Sequence, residues 1–179
     1  MRPSSRTAIL EAALRVAGRR GIGGLTLDAA AQEAGVSKGG LVYHFASKEQ
    51  LMLAVVEHLI AGWEQAMLTE LGKPFDEATA AERVRAYTRV ITGLTTSRAD
   101  LAILIDSVHE ESLLEPWRGL LRRWLEEAPP DVSAVDRAVA RLAADGLWLA
   151  DASDTSNYDA DMRAAITARI DRLAEGPAL

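Results

Sequence analysis

Residues 34–51 read AGVSKGGLVYHFASKEQL and determine how the helices on either side of them are arranged. A short helix is predicted over residues 27–34. Gly35 then stands where a helix ends in left-handed backbone, which glycine adopts without strain. A second short helix is predicted over residues 38–45. Two short helices joined by a tight, glycine-containing turn are typical of a helix-turn-helix, with residues 35–37 as the turn.

The second short helix carries side chains suited to a DNA major groove, which is about 12 Å wide. Gly39 and Gly40 weaken a helix, so their presence at its start favours close approach of the backbone to phosphate or base edges. Lys38, Tyr43 and His44 supply hydrogen-bond donors along the predicted exposed face.

Lys48 stands at the start of the next helix, where its charge and the backbone N–H groups can together hold a phosphate. The helix dipole favours an acidic residue there, so a lysine strengthens the case for a phosphate contact. Other interpretations stay open: Tyr43 and His44 as residues at the edge of the core, and Lys48 as a solvated residue.

Charge is unevenly distributed along the chain, whose net charge is −6. Residues 1–50 hold seven Lys or Arg and four Asp or Glu, a net charge of +3, whereas residues 51–179 carry a net charge of −9. A basic head on an acidic body is expected when one end of a protein contacts phosphate, although chance fluctuation explains it as well.

The rest of the chain shows recurring helical periodicity and almost no strand signals. The sequence therefore predicts an all-α fold of about nine helices, with an N-terminal helix-turn-helix head and a helical body. The first helix is predicted over residues 5–20. Capping boxes are predicted at residues 47–50, 79–82 and 112–115. Pro116 offers another interpretation of the third, as the first turn of its helix.

No recognisable catalytic or metal-binding pattern is present. The chain has no Cys, and its three histidines lack the spacing of a metal site or a catalytic triad. No glycine-rich phosphate loop follows a strand, so we predict that the protein is not an enzyme and uses neither a cofactor nor a metal. The N-terminus lacks the apolar run of a signal peptide, and no run of about 18 apolar residues predicts a membrane span. These features favour a cytoplasmic protein.

The run over residues 34–51 closely resembles the signature of the tetracycline-repressor (TetR) family of transcriptional regulators. The sequence ILEAA at residues 9–13, Gly21 and Thr26 match that family as well. The resemblance covers residues 6 to about 55, and the remainder is similar in architecture only. Val42, Ala17 and Ala30 depart from the commonest residues at their positions.

The resemblance implies a homodimeric repressor that binds a palindromic double-stranded DNA operator and releases it when a small-molecule effector binds. It implies a helix-turn-helix DNA-binding domain over residues 1–50 and an all-helical ligand-binding and dimerisation domain over residues 51–179. Carried over position by position, it implies DNA contacts, mainly to phosphate, at these residues: Thr26, Ser37, Lys38, Gly39, Gly40, Tyr43, His44 and Lys48.

Two apolar stripes lie on the last two predicted helices, at residues 133–150 and 159–175. The stripes comprise Val135, Val139, Leu142 and Leu149, followed by Met162, Ile166, Ile170 and Leu173. Ala138, Ala143 and Gly146 are small enough to permit close helix approach. The family resemblance implies that these helices form a four-helix dimer interface, and packing within one chain is the alternative. A dimer is expected because one recognition helix reads too few base pairs.

Large aromatic residues in the middle of the chain predict an apolar effector pocket with a few polar anchors, and an ordinary core explains them equally well. Asp106 and His109 are expected to point inward and to orient the polar end of the effector. The full predicted set is Trp63, Met67, Tyr87, Asp106, His109, Trp117, Trp124 and Trp148. The alternative function is a helical protein-binding adaptor that does not bind DNA, which salt-dependent DNA binding would exclude.

Overall fold

The computed structural model describes residues 5–93, 98–125 and 132–176, and within them it contains nine α-helices and no strand. The helices are α1 (Ser5–Arg20), α2 (Leu27–Ala34), α3 (Lys38–His44), α4 (Lys48–Leu71), α5 (Ala80–Gly93), α6 (Arg98–Ser107), α7 (Glu111–Leu125), α8 (Val132–Ala152) and α9 (Ala160–Glu175). Short 3-10 turns cover Ile22–Gly24 and Phe75–Glu77. The predicted all-α fold is confirmed.

Two of the three predicted capping boxes are present as side-chain to backbone hydrogen bonds. At the start of α5, the Thr79 N–H donates to Glu82 Oε2 at 2.9 Å and the Glu82 N–H donates to Thr79 Oγ1 at 3.2 Å. At the start of α4, the Gln50 N–H donates to Ser47 Oγ at 3.2 Å. The Gln50 side chain accepts from the N–H of Ala46, one residue before the cap, at 3.0 Å, so this box differs from the expected one in its return bond.

The third predicted capping box is wrong. Helix α7 begins at Glu111, two residues earlier than a Ser112 cap allows, because the Glu110 carbonyl already accepts from the N–H groups of Leu113 and Leu114 at 3.0 Å. Ser112 lies inside the first turn, and its hydroxyl bonds Glu110 Oε1 at 2.9 Å instead. Pro116 therefore lies inside the helix and not at its first position.

The chain divides into two compact units, residues 1–61 with 97–118 and residues 62–96 with 119–179. In the first unit α1 packs on α2 and α6, and α2 packs on α3. A Cβ placed on Gly18 of α1 would lie 2.9 Å from the Ala99 Cβ of α6, so these helices need a glycine to come this close. The boundaries of these units differ from the predicted domain boundary at residue 50. That boundary divides DNA binding from ligand binding and dimerisation, and it stays a prediction.

In the second unit α5, α8 and α9 pack against one another around small and aromatic side chains. On α8, Ala140, Ala144, Leu147 and Trp148 are buried. These residues recur every three or four positions, which gives α8 one face toward its neighbours and leaves the opposite face uncovered.

The uncovered face of α8 carries the predicted apolar stripe. Val135, Val139, Leu142 and Leu149 are between 47% and 64% exposed, with Gly146 exposed among them. The stripe on α9 is different: Met162 is exposed, but Ile170 is 3% exposed and packs within its own chain. The expectation that Ile170 faces a partner is therefore wrong, because α5 and α8 of the same chain pack against α9.

An ion cluster joins α5 to α9. The Asp171 carboxylate accepts from Arg89 Nε at 2.7 Å and Nη2 at 3.0 Å, and from Arg85 Nε and Nη2 at 3.1 Å each. Arg85 also pairs with Glu175, and Arg89 Nη1 donates to Glu70 at 3.1 Å. The guanidinium groups of Arg89 and Arg85 hold the pKa of Asp171 well below its ordinary range.

We expect Asp171→Asn to lower the free energy of unfolding by about 2 kcal/mol near neutral pH, since two guanidinium groups lose their shared anion. A depressed folded pKa stabilises the protein above the unfolded pKa, near 4, and this contribution is lost as pH falls toward the folded value. Urea unfolding should therefore show the difference at about pH 7 and a smaller one at about pH 3. An equal difference at both pH values would mean that the ionised carboxylate is not responsible.

Helix α4 is long and apolar enough, by length and composition, to cross a membrane. In its most apolar window, 44% of the residues are buried inside the structure, and core helices of soluble proteins pass the same test. Its buried residues include Leu51, Val55, Val56 and Met67. The helix is therefore weak evidence for a span, and the absence of a membrane partner stays a prediction.

Candidate functional site

The turn between α2 and α3 has the geometry that the glycine position predicts. Gly35 has φ 67°, in the left-handed region, and its N–H donates to the Gln32 carbonyl at 3.2 Å. The next N–H, of Val36, donates to the Ala31 carbonyl at 3.0 Å, which closes the end of α2. Ala30 and Ala31 are buried, so α2 contacts its neighbours through small side chains. Helices α2 and α3 thus form a helix-turn-helix.

Thr26 and Ser37 begin the two helices of this motif. Thr26 Oγ1 accepts from the Ala29 N–H at 3.0 Å, and Ser37 Oγ accepts from the Gly40 N–H at 3.1 Å. Both residues are exposed, and each hydroxyl keeps its own O–H as a donor. The same two side chains can therefore cap a helix and donate to a phosphate.

The outer face of α3 is open. Leu41 is fully buried and Phe45, just after the helix, is 3% exposed, so these two anchor the inner face. Tyr43 points the other way and is 87% exposed, whereas His44 is half-buried with its ring 5.2 Å from that of Tyr43. The exposure of Tyr43 argues against its alternative role at the edge of the core.

Gly39 lies on this open face, and a Cβ added to it would meet no atom within 4 Å. The fold itself does not require a glycine there, although glycine costs about 1 kcal/mol in a helix relative to alanine. A Cβ on Gly40 would lie 3.2 Å from Ser37 Oγ, so this glycine gives room to the helix cap. The absence of a side chain at Gly39 therefore leaves open space on the outer face of α3 that no packing contact of the chain requires.

The two predicted lysine contacts differ in their surroundings. Lys38 Nζ lies 3.0 Å from Asp28 Oδ1 and 3.1 Å from Oδ2. Lys48, at the start of α4, is half-buried and forms no ion pair with any residue in the described part of the chain. The prediction did not include Asp28. The signal in the sequence that could have found it is a carboxylate in the first turn of the helix before the turn.

A second ion pair, also not predicted, holds α1 to α2. Glu33 accepts from Arg15 Nε at 2.8 Å and pairs with Arg19 as well. Hydrogen bonds from Arg19 and Arg15 lower the pKa of the Glu33 carboxyl. These two arginines contribute to the basic charge of residues 1–50, and in this structure they are engaged with an anion of the same chain.

The predicted effector residues fall into both compact units. Trp63, Met67, Tyr87, Trp124 and Trp148 belong to the second, and Asp106, His109 and Trp117 to the first. The aromatic side chains and Met67 are all less than 10% exposed. Trp63 and Trp148 pack edge to face with ring centroids 5.7 Å apart, and Trp117 Nε1 donates to Ser107 Oγ at 3.2 Å.

The polar anchors are placed differently from the prediction. His109 lies exposed in the turn after α6, and Asp106 is half-buried near the end of that helix. The inward position expected for His109 is wrong, because α6 ends at Ser107 and residues 108–110 after it are exposed.

A buried polar cluster that the prediction did not include joins α5 to α8. Tyr87 O–H donates to Asp145 Oδ1 at 2.6 Å, and Arg141 Nε lies 3.4 Å from the other carboxylate oxygen. Burial raises the pKa of Asp145, and burial together with the nearby carboxylate raises the pKa of Tyr87. Trp148, three residues further along α8, has a buried indole N–H without a hydrogen-bond partner among the described residues.

Each of the two compact units has a surface cavity lined by its own residues. One of about 350 Å³ lies between α1 and α6 and is lined by Leu14, Arg15, Gly18, Arg19, Ala99 and Asp100. One of about 190 Å³ is lined by Glu70, Leu71, Glu82, Arg85, Ala86 and Arg89. Neither is lined by a predicted effector residue, so the effector site stays a prediction.

A helix-turn-helix in an all-α chain, with donors along the open face of its second helix, defines a DNA-binding regulator of transcription. The chain belongs to the TetR family: residues 9–55 match the model of bacterial regulatory proteins of the tetR family. Residues 81–175 match the model of a tetracyclin repressor-like C-terminal domain. The resemblance seen in residues 6–55 is thereby confirmed, and it extends into the body.

Curated relatives and a solved structure agree with this assignment. The HTH-type transcriptional regulator BetI of Agrobacterium fabrum is 30% identical over 160 residues, which cover 83% of this chain and 77% of the relative. BetI of Rhizobium meliloti is 38% identical over 89 residues, half of this chain and 38% of the relative. A crystal structure of the multidrug binding protein EbrR complexed with malachite green has the same fold. Its TM-score is 0.64 at 23% identity over 98% of this chain and all of that one.

Proposed function

We propose that this regulator is a homodimeric, ligand-responsive repressor that binds a palindromic operator and releases it when a small molecule binds the body. The observation that carries the proposal is the open face of α3. Tyr43 is 87% exposed on it, and the glycine at position 39 serves no packing need of the fold. An exposed donor surface with space for a close partner suits a recognition helix in the major groove.

The dimer is supported by the uncovered apolar face of α8. Its exposed residues are Val135, Val139, Leu142, Gly146 and Leu149. Successive members are four, three, four and three positions apart, so they form one stripe along the helix. A contiguous exposed apolar stripe of this kind marks a protein interface. A second copy of the chain suits it, because a two-fold interface would present two recognition helices to a palindrome.

The effector response is supported by the aromatic interior of the second unit. The indole N–H of Trp148, which has no partner among the described residues, can donate to an acceptor on a bound molecule. Asp145, which accepts from Tyr87 of α5, lies three residues before Trp148 on α8. EbrR, similar in fold, was crystallised with malachite green, so this dye is a suitable first probe. The effector releases the operator only if it binds the conformation without DNA affinity more tightly than it binds the conformation that holds the operator.

The regulator is proposed to act in the cytoplasm and without catalysis, as its family of transcriptional regulators suggests. The alternative, a protein-binding adaptor without DNA binding, leaves the open face of α3 unexplained. An adaptor of this kind would not bind DNA even at low salt, and a DNA-binding titration at low salt tests this directly.

The decisive experiment is selection of bound sites from random duplex DNA, followed by titration of the selected site at several salt concentrations. We expect palindromic sites and an affinity that falls steeply with salt. Lys48→Ala should weaken binding to all sequences and reduce the salt slope by about one unit, because one phosphate contact is lost. An unchanged slope would remove Lys48 from the phosphate contacts, and no enrichment of any site would favour the adaptor.

A further inference from the structure

The Asp28–Lys38 ion pair distinguishes Lys38 from Lys48, the other lysine of the proposed DNA-binding surface. Asp28 lies in the first turn of α2, and both of its carboxylate oxygens are within 3.1 Å of Lys38 Nζ. The two side chains are 70% and 65% exposed, so the pair lies at the surface and not in the core. Lys48 has no such partner among the described residues.

We propose that Asp28 makes Lys38 a reader of guanine in the major groove, while Lys48 remains a phosphate contact. This inference rests on the proposed operator binding and assigns separate tasks to two residues of that site. Asp28 is then a specificity-determining residue that acts through the lysine it holds.

The position of Lys38 on α3 suits base contact. Recognition helices of helix-turn-helix proteins place their N-terminal residues against base edges. Lys38 is the first residue of α3, it is followed by Gly39 and Gly40, and Leu41 is buried. In the first turn of this helix, Lys38 is therefore the one exposed side chain that can reach a base.

The carboxylate of Asp28 disfavours phosphate as the partner of Lys38. An oxygen bound to the Lys38 ammonium would lie only about 5 Å from the Asp28 oxygens, given ordinary hydrogen-bond lengths. A phosphate oxygen carries negative charge and is repelled at that distance, whereas guanine O6 and N7 are neutral acceptors. The ammonium has three N–H donors, so it can hold the carboxylate and still donate to a base.

The same pair predicts how Lys38 contributes to salt dependence. A lysine that neutralises a phosphate releases counterions from DNA, and each such contact adds about one unit to the salt slope. Lys38 is already neutralised by Asp28, so a base contact by the intact pair adds little. If the pair instead opened and Lys38 moved to a phosphate, its removal would lower the slope as Lys48→Ala does.

The test compares Lys38→Ala, Asp28→Asn and Lys48→Ala with the wild-type chain in site selection and salt titration. Lys38→Ala should lose the preference for guanine at one position in each half-site, a loss of about tenfold to a hundredfold in discrimination. The double variant Asp28→Asn/Lys38→Ala removes the pair without changing the net charge, so its salt slope should stay within about 0.3 units of wild type, against a drop of about one for Lys48→Ala.

Asp28→Asn keeps the size of the side chain and removes its charge, which frees Lys38 for phosphate. It should bind random-sequence DNA several-fold more tightly and steepen the salt slope by up to about one unit. Guanine preference at the same position should fall. Thermal unfolding midpoints close to wild type confirm that both exposed substitutions leave the fold intact.

Either of two results would overturn the inference and make Lys38 a phosphate contact: a Lys38→Ala protein that selects the same sites as wild type, or an Asp28→Asn/Lys38→Ala protein whose salt slope drops by about one unit. These results leave the proposed operator binding standing. Absence of salt-dependent binding by the wild-type chain would overturn the proposed function, and the inference with it.

Discussion

Gly146→Glu is expected to convert the dimer into folded monomers and to abolish operator binding. Gly146 lies in the middle of the exposed α8 stripe, and a Cβ added there meets no atom within 4 Å of its own chain. The free protomer should therefore accept glutamate without strain, and a glycine replaced inside a helix even favours folding. In the proposed two-fold interface, however, each protomer would bury the same carboxylate among the apolar side chains of the α8 stripe.

A buried carboxylate without a partner costs several kcal/mol, so the dimer should weaken by at least about a hundredfold. Operator affinity should fall with it, because a single recognition helix reads too few base pairs. Analytical ultracentrifugation measures the first effect and operator titration the second. Gln65→Glu, on an exposed position of α4, adds the same charge elsewhere and should leave both unchanged.

Ile170→Glu is the informative contrast. Ile170 is 3% exposed inside its own chain, so a charge there should unfold the protomer instead of separating two folded ones. Gly146→Glu should leave the thermal midpoint near that of wild type, whereas Ile170→Glu should lower it severely. If Gly146→Glu remains dimeric and still binds the operator, the interface lies on another surface.

The contrast between Gly146 and Ile170 also shows which features a sequence can predict. The turn at Gly35 depends on neighbouring residues, so composition and spacing were sufficient to predict the helix-turn-helix. Both apolar stripes were recognised from their period. The period does not say which surface covers a stripe, and α5 and α8 of the same chain cover Ile170.

Partners distant in sequence were missed for a related reason. Asp28 and Lys38 are ten residues apart, and their contact depends on how the turn directs α3 back along α2. Tyr87 and Asp145 are separated by 58 residues and meet only because α5 packs on α8. His109 was expected to point inward, whereas α6 ends at Ser107 and leaves His109 exposed in the turn that follows.

Trp124 and Trp148 were both predicted to contact the effector, and the structure distinguishes them. Trp124 is completely buried, its indole N–H donates to Glu64 Oε1 at 3.2 Å, and its ring lies 5.0 Å from Phe75. Arg123 binds the same Glu64 oxygen at 2.7 Å and lies 4.6 Å from the Phe75 ring centre. Trp124 is thus fully engaged with its own chain, whereas the indole N–H of Trp148 has no partner among the described residues.

Trp124→Ala should lower the free energy of unfolding by about 3–5 kcal/mol, the cost of removing a large aromatic side chain from a packed interior. Trp124→Phe keeps most of the apolar volume and should cost about 1–2 kcal/mol, since one hydrogen bond to a carboxylate is lost. Trp148→Phe removes an indole N–H that has no hydrogen-bond partner among the described residues, so it should be the milder of the two phenylalanine variants. Urea unfolding measures all three.

The same pair of phenylalanine variants tests the effector site. If malachite green releases the operator from wild type, Trp124→Phe should respond with an unchanged midpoint, because Trp124 is fully engaged with its own chain. Malachite green is an aromatic cation, and the face of an indole attracts a cation more strongly than the face of a phenyl ring, so Trp148→Phe should need a few-fold higher concentration of dye, for a loss of about 0.5–1 kcal/mol. A shifted midpoint for Trp124→Phe with none for Trp148→Phe would place the effector beside Phe75 and Glu64. Trp148 would then be a packing residue only.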